Sequence, residues 1–257
     1  MLNTEFVPCW ESVRPVPKVT IDFGNGHLVH RTLTGNTVMY ICLPNGEVVD
    51  ALPGVFTPRD FQLEVGKVLT FMHLLNADKL DSDSKILAWH RGQLDERIQY
   101  ETILSMGKGF VECPLLDALG MRNSPARLAR AIPSSALGSS ALSNLPIDKL
   151  KSAFQSLCAR TDDISHHAMK VEQLKENLKI TRVGMSPSPE ELGKMVVELD
   201  SRNNLHTVHP AVHLLFATFI KPPTPSECSE TIYKQLLHVP INDPDLGLAD
   251  ALLPGTH

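Results

Sequence analysis

The stretch 31–58, RTLTGNTVMYICLPNGEVVDALPGVFTP, constrains the fold more than any other part of the chain. Val38, Tyr40 and Cys42 alternate with Met39, Ile41 and Leu43 in an unbroken run of β-branched, aromatic or apolar residues. Such a run fits a strand buried on both faces. Pro44-Asn45-Gly46 supplies the turn, because Asn-Gly takes positive φ readily. Residues 47–52 return as a shorter strand, which Pro53-Gly54 ends. Thr57 then caps a helix with Pro58 in its first turn and Asp60 near the capping-box position. Phe61, Val65, Val68, Leu69, Met72 and Leu75 recur at helical spacing, so this helix should lay one apolar face against the hairpin.

The flanking segments are read from the same signals. Residues 6–13 suggest a short strand, with Pro8 suited to an edge. Residues 19–23 suggest another, closed by Gly24-Asn25-Gly26, and residues 27–33 lead into the hairpin. Residues 76–94 are polar and read as loop or fraying helix; 95–106 reads as helix. Gly107-Lys108-Gly109 lacks the GxxxxGK[ST] spacing of a phosphate loop. Short helices are expected at 114–119 and 125–131, and the Ser-rich 134–145 (SSALGSSALSNL) reads as a linker or exposed loop. Residues 146–180 suggest one long helix or two, with Leu150, Phe154, Leu157, Leu174 and Leu178 inward. Capping boxes at 188–191 and 224–227 open helices running to Asp200 and Leu237, and His209-Pro210 opens another through Phe219. The tail from Pro240 should be irregular.

Composition excludes several classes. The 257 residues allow one large domain or two modest ones, and 42% hydrophobic with 21% charged residues is ordinary for a globular chain. A net charge of −5 argues against a nucleic-acid surface, and 5% aromatics against base-stacking platforms. No apolar run approaches the roughly 20 residues of a membrane-spanning helix. MLNTEFVPCW lacks the basic and apolar regions of a signal peptide. The chain as it stands is therefore expected to be cytoplasmic, or extracytoplasmic if its true N-terminus is longer.

The order of strand, Asn-Gly hairpin, Leu-Pro-Gly and Thr-Pro-started helix resembles the C-terminal half of a thioredoxin-like domain. The matching words are Gly35-Asn36-Thr37-Val38, then Ile41-Cys42-Leu43-Pro44-Asn45-Gly46-Glu47-Val48-Val49, then Leu52-Pro53-Gly54. Leu2-Asn3-Thr4-Glu5-Phe6-Val7 similarly resembles the family's approach to its second strand. The resemblance implies an α/β fold: a partial thioredoxin-like sheet with hairpin and packed helix over 1–75. A helical connecting region (76–133), the linker or loop (134–145) and a mainly α-helical region (146–257) follow. That last region resembles an accessory segment of uncharacterised bacterial thioredoxin-like proteins.

Two departures bear on function. The redox-active members carry Cys-x-x-Cys at a helix N-terminus, and this chain has none. Thr37 stands where the family places a cis-proline, and a cis bond before a non-proline residue costs about 2.5–4 kcal/mol. The resemblance therefore implies a redox-inactive module with an interaction or structural role. The alternative is a thiol-disulfide oxidoreductase whose Cys-x-x-Cys lies upstream of Met1. No catalytic residue and no cofactor are assigned. A sheet without its first strand has an open edge, which the helical region, the tail, a second copy or another protein chain should cover.

His206, His209 and His213, in LHTVHPAVH, form the sharpest polar constellation. On a helix starting at Pro210, His209 and His213 share one face, and His206 can fold over from the preceding loop. Three imidazoles can hold a zinc-type or haem-type metal. Pro210 occupies the place where the zincin motif needs Glu, and capping and core roles are the competing reading. His166-His167 point to different helix faces and read as solvated. The five scattered cysteines favour reduced thiols. Cys9 and Cys42 become neighbours if 6–13 pairs beside the hairpin, as buried thiols or as a disulfide if their Cα atoms lie within about 7 Å. Asp162-Asp163 and Glu190-Glu191 are explained as helix-start charges, and no Gly-x-Ser-x-Gly elbow occurs.

Overall fold

Glycine turns fold the N-terminal residues into two antiparallel hairpins. The computed structural model describes residues 2–15, 18–22, 24–26, 28–32, 37–77, 82–106, 112–122, 142, 145–164 and 189–244. They belong to two units, one of residues 1–36 with 239–257 and one of residues 37–238.

In the first unit a single helical turn, α1 (Leu2–Glu5), precedes β1 (Lys18–Asp22) and β2 (Leu28–Thr32). The strands pair antiparallel, Lys18 opposite Thr32 and Asp22 opposite Leu28. Gly24 and Gly26 make the turn at φ 72° and 82°, and Asp22 Oδ1 accepts from the Gly24 N–H at 2.8 Å. Residues 28–32 thus pair back onto β1 instead of leading forward. The Arg14 guanidinium donates to the carbonyls of Ile241, Asp243 and Pro244, fastening that segment to the unit. The strand expected over 6–13 does not form. Val7 and Trp10 are 95% and 89% exposed, so the segment buries no apolar face, and Pro8 has no N–H for a ladder.

The second unit opens with β3 (Val38–Cys42) and β4 (Val48–Pro53), antiparallel, with Val38 opposite Pro53 and a register shift at Ile41/Cys42. Asn45 and Gly46 turn the chain as expected, Gly46 at φ 87°. Burial on both faces belongs to β4, every residue of which is buried, and not to β3, whose Met39 is exposed. Val48 donates its N–H to the Pro223 carbonyl at 2.8 Å, so at this point β4 is met from within the chain. Every strand pairing among the described residues is antiparallel, and none of their peptide bonds is cis. Thr37 is exposed, and its carbonyl accepts from the Gly54 N–H at 2.8 Å.

Helix α2 (Pro58–Ala77) begins as predicted, with Thr57 Oγ1 accepting from the Asp60 N–H at 3.2 Å and Val65, Val68 and Leu75 buried. Helix α3 (Ser82–Ser105) takes in most of 76–94, expected as loop or fraying helix, together with the helix expected from residue 95. Ile86, His90, Leu94 and Ile98 recur every fourth residue and are wholly buried. A histidine at one of the four positions hides this stripe from a purely apolar pattern. The Glu101 carboxylate takes the Arg97 Nε–H and the Leu116 N–H, both at 2.9 Å, satisfying the start of α4 (Pro114–Ala118). Burial outweighs these bonds and raises its pKa.

Helix α5 (Ile147–Ile164) buries Leu150, Phe154 and Leu157 as expected. Leu142, within the predicted linker or exposed loop, is wholly buried in the core, because a leucine flanked by small residues can enter it. The remainder of that stretch except Leu145, and the expectations for 107–109, 125–131, His166-His167, Leu174 and Leu178, lie outside the described residues.

Helix α6 (Pro189–Asn203) runs through a π turn (Asn204–Val208) into α7 (His209–Phe216) without the break expected at His209. Asn203, Val208 and His209 all keep right-handed helical φ and ψ, and the His209 N–H reaches back to the Asn204 carbonyl. Pro210 removes the N–H that would meet the His206 carbonyl in an α-helix. That carbonyl accepts from Arg97 Nη2 at 3.4 Å instead. Helix α8 (Pro225–Thr231) and a second π turn (Ile232–Leu236) close the unit, with Glu227 accepting from the Thr224 N–H at 2.7 Å.

The α6–α7 segment also clasps the turn after β4. Asn204 Nδ2 donates to the Val55 carbonyl at 2.7 Å, and Ser201 Oγ accepts from the Thr57 N–H at 3.0 Å. Gly54 sits at φ 82°, and a Cβ there would lie 2.7 Å from Asn204 Nδ2, so glycine is required twice over. The hairpin, α2 and the C-terminal helices therefore share one unit, which begins at residue 37. Among the described residues the architecture is mixed α/β with a helical majority. No helix among the described residues is long and apolar enough to cross a membrane.

Ile86 tests the position of α3. Ile86→Ala should destabilise the chain by about 2–5 kcal/mol in urea unfolding, against less than about 0.5 for the exposed Ile103→Ala. Equal, small effects would return residues 82–94 to a loop.

Candidate metal centre

β4, α2, α3 and α7 of the second unit each place a titratable side chain around His209 and His213. Asp50, wholly buried in β4, accepts from the next residue's N–H at 2.9 Å and lies 3.0 Å from His209 Nε2. Glu64 of α2 lies 3.5 Å from His209 Nδ1 and is itself paired with Lys67 at 2.9 Å. Burial opposes a charge on His209, but Asp50 and Glu64 on its two nitrogens outweigh it and raise the pKa.

One turn along α7, the His213 ring lies 4.3 Å from that of His209, centroid to centroid. Its Nδ1 is 2.8 Å from Nδ1 of His90 in α3, so one ring donates and the other accepts, leaving Nε2 of His213 as its available nitrogen. Trp89 meets both rings edge-on at 5.0 and 5.4 Å, and Phe216 meets His90 at 4.9 Å. Burial in this apolar, aromatic surround pushes His90 down to about 3 and His213 well below the ordinary value, so both are neutral. Nε2 of His90 is buried without a hydrogen-bond partner.

Asp50, His209 and His213 form a group whose potential ligand atoms all lie within 4.8 Å of one another. The sequence placed His206 with the other two imidazoles, and the structure does not. The π turn shifts the helical register between residues 206 and 209, and His206 faces Arg97, whose Nη1 donates to its Nδ1. Burial and Arg97 lower its pKa to about 4. His206 instead borders a cleft of about 280 Å³. It is lined by Glu64 and Lys67 of α2, by Gln93, Glu96, Arg97 and Tyr100 of α3, and by His206, His209 and His213.

Asp50, Glu64 and His90 were missed in the sequence. Asp50 sits in a strand otherwise apolar, the one legible signal that its carboxylate has a buried partner. Glu64 and His90 look like ordinary helical positions until α2 and α3 are folded.

No cysteine belongs to this group among the described residues. All five cysteines lack disulfides. Cys9 is exposed in the first unit and Cys42 half-buried in the second, and the strand meant to bring Cys9 to the hairpin is absent. Burial raises the Cys113 thiol and pushes those of Cys158 and Cys228 up to about 12. Comparison with protein-family models, curated proteins and solved structures finds no match to this chain.

The neutral histidines set a pH dependence. His90 and His213 have lowered pKa values, so their contribution to stability is complete above their ordinary value of 6.5 and is lost as pH falls towards the folded values. His209, with a raised value, has the opposite sign: its contribution is full below 6.5 and fades as pH rises through its folded value. Urea unfolding of the chelated protein should show stability falling from about pH 6 to about pH 5 by up to about 1.4 kcal/mol per pH unit for each of His90 and His213. His90→Leu should reduce that slope, and an unchanged slope would contradict the buried, neutral assignment.

Proposed function

We propose that this chain is a metal-binding protein that holds a first-row divalent ion of the zinc class between Asp50, His209 and His213. The observation that carries the reading is the convergence of one carboxylate and two imidazoles, all buried, with potential ligand atoms within 4.8 Å of one another. Two nitrogens and one oxygen suit zinc and its neighbours better than calcium or magnesium, which prefer all-oxygen sites. Zinc bonds of about 2.0–2.2 Å bring ligand atoms to within about 4 Å of each other, so small side-chain shifts close the set. His213 is already neutral, and an ion at His209 displaces a proton held between carboxylates. His90, bonded to the far nitrogen of His213, is the outer partner that fixes ring orientation in metal sites.

The hairpin's likeness to thioredoxin-like domains is compatible with descent from one whose redox chemistry has gone. The missing Cys-x-x-Cys, Thr37 at the proline position, and buried thiols with raised pKa values support that reading.

Isothermal titration of the chelated, dialysed chain with zinc should give about one ion per chain. His209→Ala and His213→Ala should abolish binding, and His90→Leu should weaken it about 10- to 100-fold. His206→Ala should leave it intact. No uptake, or uptake indifferent to His209→Ala, would refute the reading.

A further inference from the structure

We infer that the bound ion keeps one coordination position open to the neighbouring cleft and takes there a small carboxylate. The inference rests on the metal-binding reading and adds the class of ligand. Three donors make up the group among the described residues, the number that leaves a zinc-class ion an open position. Two of those donors, His209 and His213, line the cleft, so the approach to the ion is from that side.

Charge points to an anion. A divalent ion with Asp50 and two neutral imidazoles carries one uncompensated positive charge in a buried site. Glu64, 3.5 Å from His209, already shares its charge with Lys67 at 2.9 Å, and Glu96 also lines the cleft. Arg97 is likewise committed to Glu101 at 2.9 Å. A monoanion from solution neutralises the site without breaking either pair. Oxygen suits the ion, the Lys67 ammonium and the Gln93 amide on the cleft walls offer donors to a second oxygen, and Tyr100, Leu205 and Pro210 offer apolar surface to an organic remainder. Those features favour a carboxylate over a halide.

The full chain loaded with cobalt(II) reports the coordination shell through its visible absorption, and sodium acetate at constant ionic strength is the probe. A saturable spectral change is expected, with half-saturation raised by up to about fivefold in Lys67→Met, the size of a partly exposed charge contact. Cobalt uptake with a spectrum indifferent to acetate would overturn the open position while leaving the metal site standing. Acetate sensitivity gained only in Glu64→Gln would overturn it too, identifying Glu64 as the closing ligand. No cobalt uptake would overturn the metal reading, and this inference with it.

Discussion

The contact between His209 and Asp50 holds the second unit's sheet to its helices. Asp50 lies in a strand with no exposed residue, and His209 begins α7. Their 3.0 Å contact crosses from sheet to helix with both side chains almost wholly out of water. Such a pair is costly: desolvation takes back much of the Coulomb gain, and apolar residues of similar volume often serve stability as well or better. Here the cost extends to Glu64, His90 and His213, beside a core cluster of hydrophobic residues. His206, His209 and His213, all with shifted pKa values, line one cleft, the pattern of a functional site more than of a structural one.

The helical register makes the site possible. A proline four residues after His206 deletes one backbone bond, and the π turn before it takes up the irregularity without ending the helix. Arg97 accounts for the His206 carbonyl and occupies the His206 ring, removing that histidine from the metal set while keeping it on the cleft. The same segment grips the turn after β4 through Asn204 and Ser201, and Gly54 leaves room for that grip. Asp50, four residues before Gly54, is thereby held in a strand anchored at its far end.

Much of this was legible in the sequence, unevenly. The β3–β4 hairpin, the Thr57 cap, the inward face of α5 and the Glu227 cap follow from local chemistry, where propensity, turn residues and periodicity agree. His209 and His213 were legible as a pair because i and i+4 share a helical face. The rest depended on tertiary placement. The stripe of α3 was hidden by His90, a polar residue where the pattern needs an apolar one. Asp50 and Glu64 come from elements far from His209 in sequence, so no spacing could link them. The strand expected at 6–13 failed for the opposite reason: its local composition was suitable, but Val7 and Trp10 found no surface to bury against.

The central claim is that Asp50, His209 and His213 share one ion, and crystals grown with zinc test it most directly through anomalous scattering at the zinc absorption edge. The account predicts a single strong peak bonded to all three side chains, with Nδ1 of His213 still on His90. A peak elsewhere, or none while His209 still bridges Asp50 and Glu64, would show that the cluster is a buried ion-pair network and not a metal centre.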